Sequence, residues 1–158
     1  MQSRIMPCLW FDSDAEQAAT FYTSVFPNSR IVHVAHYTDV GPGEAGTVMT
    51  VQYELNGNPF LALNGGPQFK FDEAISFTIT CDDQAELDRY WERLCEGGKE
   101  SQCGWLQDRF GVSWQIVPAG IAEVFSDPDP ERAQRAMTAM LAMRKIDLQA
   151  LRDAAEGK

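Results

Sequence analysis

Short strand-like apolar runs alternate along the chain with stretches in which apolar residues recur every three or four positions, and this order occurs twice. Residues 4–11 (RIMPCLWF) predict a strand that is apolar on both faces. Ser13 or Asp14 can cap a helix over Ala15 to Phe26, whose apolar stripe is Ala18, Phe21, Tyr22 and Val25. Pro27-Asn28 stops it. Arg30 to Tyr37, Thr47 to Leu55 and Pro59 to Asn64 then read as strands. Gly41-Pro42-Gly43 is a loop in the first connection and Asn56-Gly57 a hairpin turn in the second. Gly65-Gly66-Pro67 closes this half.

The pattern restarts at Ala74 to Cys81, a strand rich in β-branched and aromatic residues. Asp82 or Asp83 can cap a helix to about Cys95 with Leu87, Tyr90, Trp91 and Leu94 on one face, and Gly97-Gly98 ends it. Cys103 to Gln107 and Val112 to Val117 predict two strands joined by a turn over Asp108 to Gly111. Placing Asp14 over Asp83 brings Phe21-Tyr22 over Tyr90-Trp91 and Val25 over Leu94, an internal repeat. One strand–helix–strands unit cannot bury both faces of its sheet. Two are expected to curve into a cup, helices outside and pocket inside. Module one spans about 1–66, module two about 72–118, and a helical tail about 119–158. In the tail, Asp129 and Pro130 start a helix over Glu131 to Arg144 with a stripe of Ala133, Ala136, Met137, Met140 and Leu141. Asp147 starts a last helix to about Ala155.

The 158 residues, 44% of them hydrophobic, suffice for a real core. Acidic residues outnumber basic ones 23 to 13, for a formal charge of −10. Such a surface repels phosphate backbones and offers no polybasic membrane patch, so neither nucleic acid nor membrane is expected as a partner. No signal-peptide pattern opens the chain, and Cys8, Cys81, Cys95 and Cys103 show no CxxC spacing. A cytoplasmic protein with free thiols is the expectation.

Neither GxGxxG, a P-loop nor GxSxG occurs. His33 and His36, three apart on a predicted strand, should point to opposite faces. The densest cluster of chemistry is Gln102 to Pro118, where Trp105, Trp114, Gln115 and Cys103 sit on adjoining strands. Aromatic walls with a few polar groups suit a small-molecule pocket. Alternation places Ser113, Gln115 and Val117 on one face and Val112, Trp114 and Ile116 on the other. Trp114 reads as core, and Trp105 fits either core or pocket.

Several runs make the chain recognisable: Ile5 to Phe11, Phe21-Tyr22, Phe26 to Ile31, Ala74 to Phe77, Tyr90-Trp91, Cys103 to Pro118 and Lys145 to Leu148. Together they resemble the PhnB-like branch of the vicinal-oxygen-chelate (glyoxalase/bleomycin-resistance) superfamily, whose members often carry the label of a ubiquinone-pathway methyltransferase. The resemblance implies an α+β fold of two βαβββ modules forming a curved mixed-sheet cup, with C-terminal helices, and usually a homodimer. In metal-using members such as glyoxalase I, four ligands line the cup. Carried over by counting back from Asp14 and Asp83 and along the last strands, those positions fall on Pro7, Ala62, Ser76 and Gln115. Neither Pro nor Ala can ligate through its side chain, and neutral Ser and Gln are poor ligands for zinc or nickel. No metal or other cofactor is therefore expected.

On this reading the inward positions include Pro7, Leu9, Phe11, Asn64, Ser76, Thr78 and Gln115, with Cys8 and Cys81 turned toward the helices. The candidate ligand-binding residues are Phe11, Asn64, Ser76, Thr78, Cys103, Trp105 and Gln115. None of the inward residues is a general base near neutral pH. Three functions remain open: a metal-free binder of a small, partly apolar molecule, an enzyme (lyase, isomerase or methyltransferase) using the same cup, and an interaction module with a vestigial pocket.

Overall fold

Each predicted strand–helix–strands run folds as one four-stranded mixed sheet with a helix on one face. The computed structural model describes residues 5–158 and divides into two units, Met1–Phe71 and Asp72–Lys158. The fold is α+β.

The first unit comprises β1 (Cys8–Phe11), α1 (Ala15–Val25), β2 (Arg30–His36), β3 (Val48–Leu55) and β4 (Asn58–Asn64), with sheet order β1-β4-β3-β2. β1 runs parallel to β4, and the other pairs are antiparallel. Asn56 and Gly57, both at positive φ (48° and 78°), form the tight turn between β3 and β4 that this pair of residue types favours. Helix α1 buries Ala15, Ala18, Ala19 and Tyr22, and Tyr22 stacks on Tyr53 of β3, which stacks in turn on Phe60 of β4. Register places Leu9, Phe11, Val51, Tyr53, Phe60 and Ala62 on this helix-covered face. Five of them are buried, each contributing on the order of 1–3 kcal/mol according to size.

The expected facing of module one is thereby corrected. Leu9 and Phe11 belong to the core under α1 rather than to an inward pocket. Cys8 and Trp10 take the uncovered face, so Cys8 is exposed and does not point to the helix. The cause is the length of one connection. Three residues, Asp12 to Asp14, separate β1 from α1, whereas Asp82 and Asp83 alone separate β5 from α2. Counting back equally from the two helices therefore lands on opposite faces, because side chains alternate along a strand. His33 and His36 are a second correction. Register shifts interrupt β2 between Ile31 and His33 and again between Ala35 and His36. His33 lies opposite Gln52 and His36 opposite Val48, two β3 positions on the same, uncovered face. The two imidazoles thus share a side of the sheet.

The second unit comprises β5 (Ser76–Cys81), α2 (Gln84–Cys95), the short β6 (Lys99–Glu100), β7 (Trp105–Gln107) and β8 (Ser113–Pro118), ordered β5-β8-β7-β6. Leu87, Tyr90, Trp91 and Leu94 of α2 are buried, as the periodicity requires, and Asp83 caps the helix by accepting from Glu86 N at 2.7 Å. Helices α3 (Ile121–Phe125), α4 (Pro130–Ala142) and α5 (Leu148–Glu156) form the tail, α3 being unforeseen in the sequence. Asp129 and Asp147 cap α4 and α5 through their side chains.

Two features fix this unit. The Asp108 carboxylate is buried, 3% exposed, and accepts from Phe110 N, Val112 N and Trp114 Nε1 at 2.9, 3.0 and 2.8 Å. It therefore shapes the β7–β8 turn and anchors Trp114 from within. The tail is fastened at two places. Cys103 N and Gly104 N donate to Met143 O and Arg144 O. Gln84 donates to Ile146 O and accepts from Leu148 N, while Lys145 pairs with Asp88 at 2.8 Å. Cys103 and Gly104 both sit at positive φ, and a Cβ on Gly104 would stand 2.7 Å from Ile116 O, so this approach requires glycine.

Replacing Asp108 by Ala leaves three donors without their acceptor, one of them a buried indole. Urea unfolding should show a loss of about 3 kcal/mol relative to the native chain. A loss below about 1 kcal/mol would show that water or rearrangement satisfies those donors.

Burial, helped by the neighbouring carboxylates of Glu86, Asp82 and Asp83, pushes the Cys81 thiol up from 9.0 to about 12. The folded chain then holds a proton that the unfolded chain releases, so ionisation favours unfolding between pH 9 and 12. Unfolding free energy should fall with pH across that window, and Cys81→Ala should flatten the fall. An identical slope in both proteins would refute the assignment.

Candidate ligand-binding face

β5, β8 and β7 run side by side in the second unit, so residues in register form rungs across the sheet. Phe77, Trp114 and Leu106 make one rung on the helix-covered face, and Ile79 with Ile116 the next. They are apolar throughout. On the opposite face the rungs read Ser76, Ser113, Gln107 and then Thr78, Gln115, Trp105. Five hydrogen-bonding side chains and one large aromatic ring thus occupy a face that α2 does not cover. Gln115 Nε2 donates to Ser76 Oγ at 2.8 Å, which leaves the Ser76 proton for another acceptor.

Of the residues expected to bind a ligand, Ser76, Thr78, Trp105 and Gln115 are brought together on this face. Phe11 is not among them. It is 4% exposed on the covered face of the other sheet, edge-on to Phe71 at 5.2 Å. Asn64 serves structure: its Oδ1 accepts from Ala15 N at 2.8 Å and its Nδ2 donates to Val48 O at 3.0 Å. The first of these bonds caps α1, where Asp14 makes no side-chain bond. Cys103 lies before β7 with its thiol donating to Met140 O at 3.6 Å, so it belongs to the tail anchorage. Buried Cys81 and half-buried Cys95 are poor nucleophiles as well, their thiols pushed up to about 12 and about 11, chiefly by desolvation. Ser113 and Gln107 were missed as candidates, although simple alternation already assigned Ser113 to the face of Gln115.

The metal positions implied by the superfamily do not fit a metal here. Gly65 N donates to Phe11 O and Ala119 N to Cys81 O, both at 2.9 Å, so Phe11 and Cys81 are equivalent strand ends. The counterparts of Ser76 and Gln115 in the first unit are then Met6 and Leu61, one position away from Pro7 and Ala62. A thioether, an alkyl chain, a hydroxyl and an amide provide neither charge nor imidazole for a divalent ion. Among the described residues no three of His, Cys, Asp and Glu converge as ligands. His33 and His36 share a face without a third.

The first unit contains a cleft of about 620 Å³ lined in part by Asp12, Glu16, Tyr37, Glu44, Asn64 and Gln68. Three of its polar side chains already serve the fold: Tyr37 Oη donates to Asn64 O, Thr47 Oγ1 donates to Glu44 O, and Asn64 caps α1. With three carboxylates, it is chemically unlike the β5–β8–β7 face, and Asn64 alone of the expected residues lines it.

A sequence model of the 3-demethylubiquinone-9 3-methyltransferase family matches residues 3–117, ending before α3. Among solved structures, a PhnB protein from Bacillus cereus shares 35% identity at a TM-score of 0.68, over 74% of this chain and 100% of that one. A protein from Pseudomonas aeruginosa shares 22% over 75% and 97%, at a TM-score of 0.61. The fosfomycin resistance protein FosX of Mesorhizobium loti shares 16% over 78% and 96%, at 0.55, a likeness of fold. No match was found among proteins of curated function. Residue pattern, duplicated βαβββ architecture and these likenesses agree: the chain belongs to the 3-demethylubiquinone-9 3-methyltransferase family, the PhnB-like branch of the vicinal-oxygen-chelate superfamily.

Proposed function

We propose that this protein binds a small, partly apolar molecule on the β5–β8–β7 face without a resident metal. The observation that carries the reading is the contrast between the two faces of one set of rungs. Phe77, Trp114, Leu106, Ile79 and Ile116 are what a sheet needs to pack on a helix, whereas five polar side chains around Trp105 are what a ligand site needs. The rungs hold no carboxylate, imidazole, amine or thiol, so they provide binding and orientation but no general acid or base. That weighs against methyl transfer or lyase chemistry at this face. The strand–helix turns at Asp12 to Asp14 and at Asp82-Asp83 also lack the glycines that let a backbone approach a nucleotide cofactor. The enzyme reading draws on the family's methyltransferase name and on FosX-like relatives of the fold. It requires a titratable residue from elsewhere in the chain. We further propose a cytoplasmic protein with free cysteines, its acidic surface favouring a small molecule over nucleic acid or an anionic lipid surface as its partner.

A thermal-shift screen of small carbonyl and aromatic metabolites, with S-adenosylmethionine and divalent metals in the same panel, tests this reading. Hits among the carbonyl compounds that Trp105→Ala abolishes, with no metal or cofactor response, are the expected pattern. Micromolar S-adenosylmethionine binding, or near one equivalent of metal per chain by elemental analysis, would overturn it.

We also propose a homodimer. Met137 and Leu141 stand 40% and 62% exposed on α4, an apolar pair suited to contact with a second copy. Sedimentation at micromolar concentration should report about twice the 17.7 kDa chain mass, and a clean monomer would exclude the dimer.

A further inference from the structure

Resting on the binding reading above, we infer that Ser113 is the residue that selects the ligand, by donating its hydroxyl proton to a carbonyl-type oxygen of a neutral planar molecule lying against Trp105. Ser113 is 2% exposed, and among the described residues its Oγ has no hydrogen-bond partner. A buried hydroxyl without a partner is costly, and native structures avoid it unless something else satisfies the group. The fold does not require a hydroxyl here. The residues on either side of it, Val112 and Trp114, are apolar and buried, and alanine would fill the same backbone position.

The surroundings define the missing partner. Ser113 sits in the middle of its rung, between Ser76 and Gln107, and one rung from Gln115 and Trp105. Ser76 accepts from Gln115 and keeps its own proton to donate, so two hydroxyl donors stand on adjacent strands in direct register. Two neutral donors converging from one rung suit an acceptor oxygen. The rungs carry neither cationic nor anionic side chains, which removes the usual means of holding phosphates or ammonium groups. The indole of Trp105 supplies the flat apolar contact. The ligand class is therefore an uncharged planar carbonyl compound, such as an aryl ketone, amide or enone.

The test uses 4-hydroxyacetophenone as the carbonyl probe and 4-ethylphenol as its carbonyl-free match, titrated into the full-length protein by NMR. With the native chain the ketone should bind about fivefold tighter than the phenol and shift the Ser113 and Gln115 amides and the Trp105 indole. In Ser113→Ala the ketone should weaken to the level of the phenol, while the phenol's own affinity stays unchanged. Ligand-free Ser113→Ala should melt at the same temperature as the native chain or higher, because a hydroxyl without a partner has been removed. Three results would overturn the inference. Equal affinity of the native chain for the two probes would show that the carbonyl is not read. Unaltered ketone binding in Ser113→Ala would assign its recognition elsewhere. A lowered melting temperature would reveal a structural partner for the hydroxyl. Failure of both probes to shift any of these resonances would instead sink the binding reading itself, and this inference with it.

Discussion

The carboxylate of Asp108 is the constraint on which the second sheet depends. It is placed where a chain reversing between two strands leaves amides without partners, and it takes two of them together with the indole of Trp114. By fixing that reversal it fixes which residue of β7 lies across from which residue of β8. Were the β7–β8 pairing to slip by one position, β7 would turn over relative to β8, so that Trp105 and Gln107 would enter the helix packing and Leu106 would leave it. The division of labour between the two faces is thus set at the turn between the two strands, by one buried charge.

The order and type of the elements were legible because the chain obeys local rules. Apolar residues recur at helical spacing in α2, an Asn-Gly pair marks the β3–β4 turn, and aspartates precede α2, α4 and α5. Which face each strand shows was legible in the second unit, where the strand–helix connection has its shorter form. It was misread in the first, because one extra residue between Phe11 and Ala15 reverses the parity and no residue type signals that reversal. The shared face of His33 and His36 was hidden for a similar reason, since bulges in β2 are a property of pairing with β3. Cys103 looked like pocket chemistry because it adjoins Trp105 in sequence. Its left-handed backbone and its contact with Met140 emerge only once the tail has folded back.

The candidate face also shows what a fold retains when charged ligands are absent from it. Hydroxyls and amides stand where metal-using relatives are expected to hold imidazoles and carboxylates. Such groups discriminate by direction and shape rather than by charge, and they leave the bound molecule's own acid–base state nearly untouched. A site of this composition is suited to recognition, and chemistry there would have to come from groups brought in from outside the rungs.

The manner in which the tail is tied down separates two boundaries that are easily confused. Similarity to the family ends at residue 117, yet the amides of Cys103 and Gly104 are paired with carbonyls beyond it, Gln84 within it bonds the carbonyl and amide flanking Asp147, and fully buried Ile146 also lies beyond it. The evolutionary module and the cooperative folding unit are consequently of different lengths. A fragment trimmed to the homologous segment would keep a part of every strand of the sheet while uncovering Gly104, against which the Ile146 side chain stands. The last forty or so residues act less as an appendage than as the final course of the core.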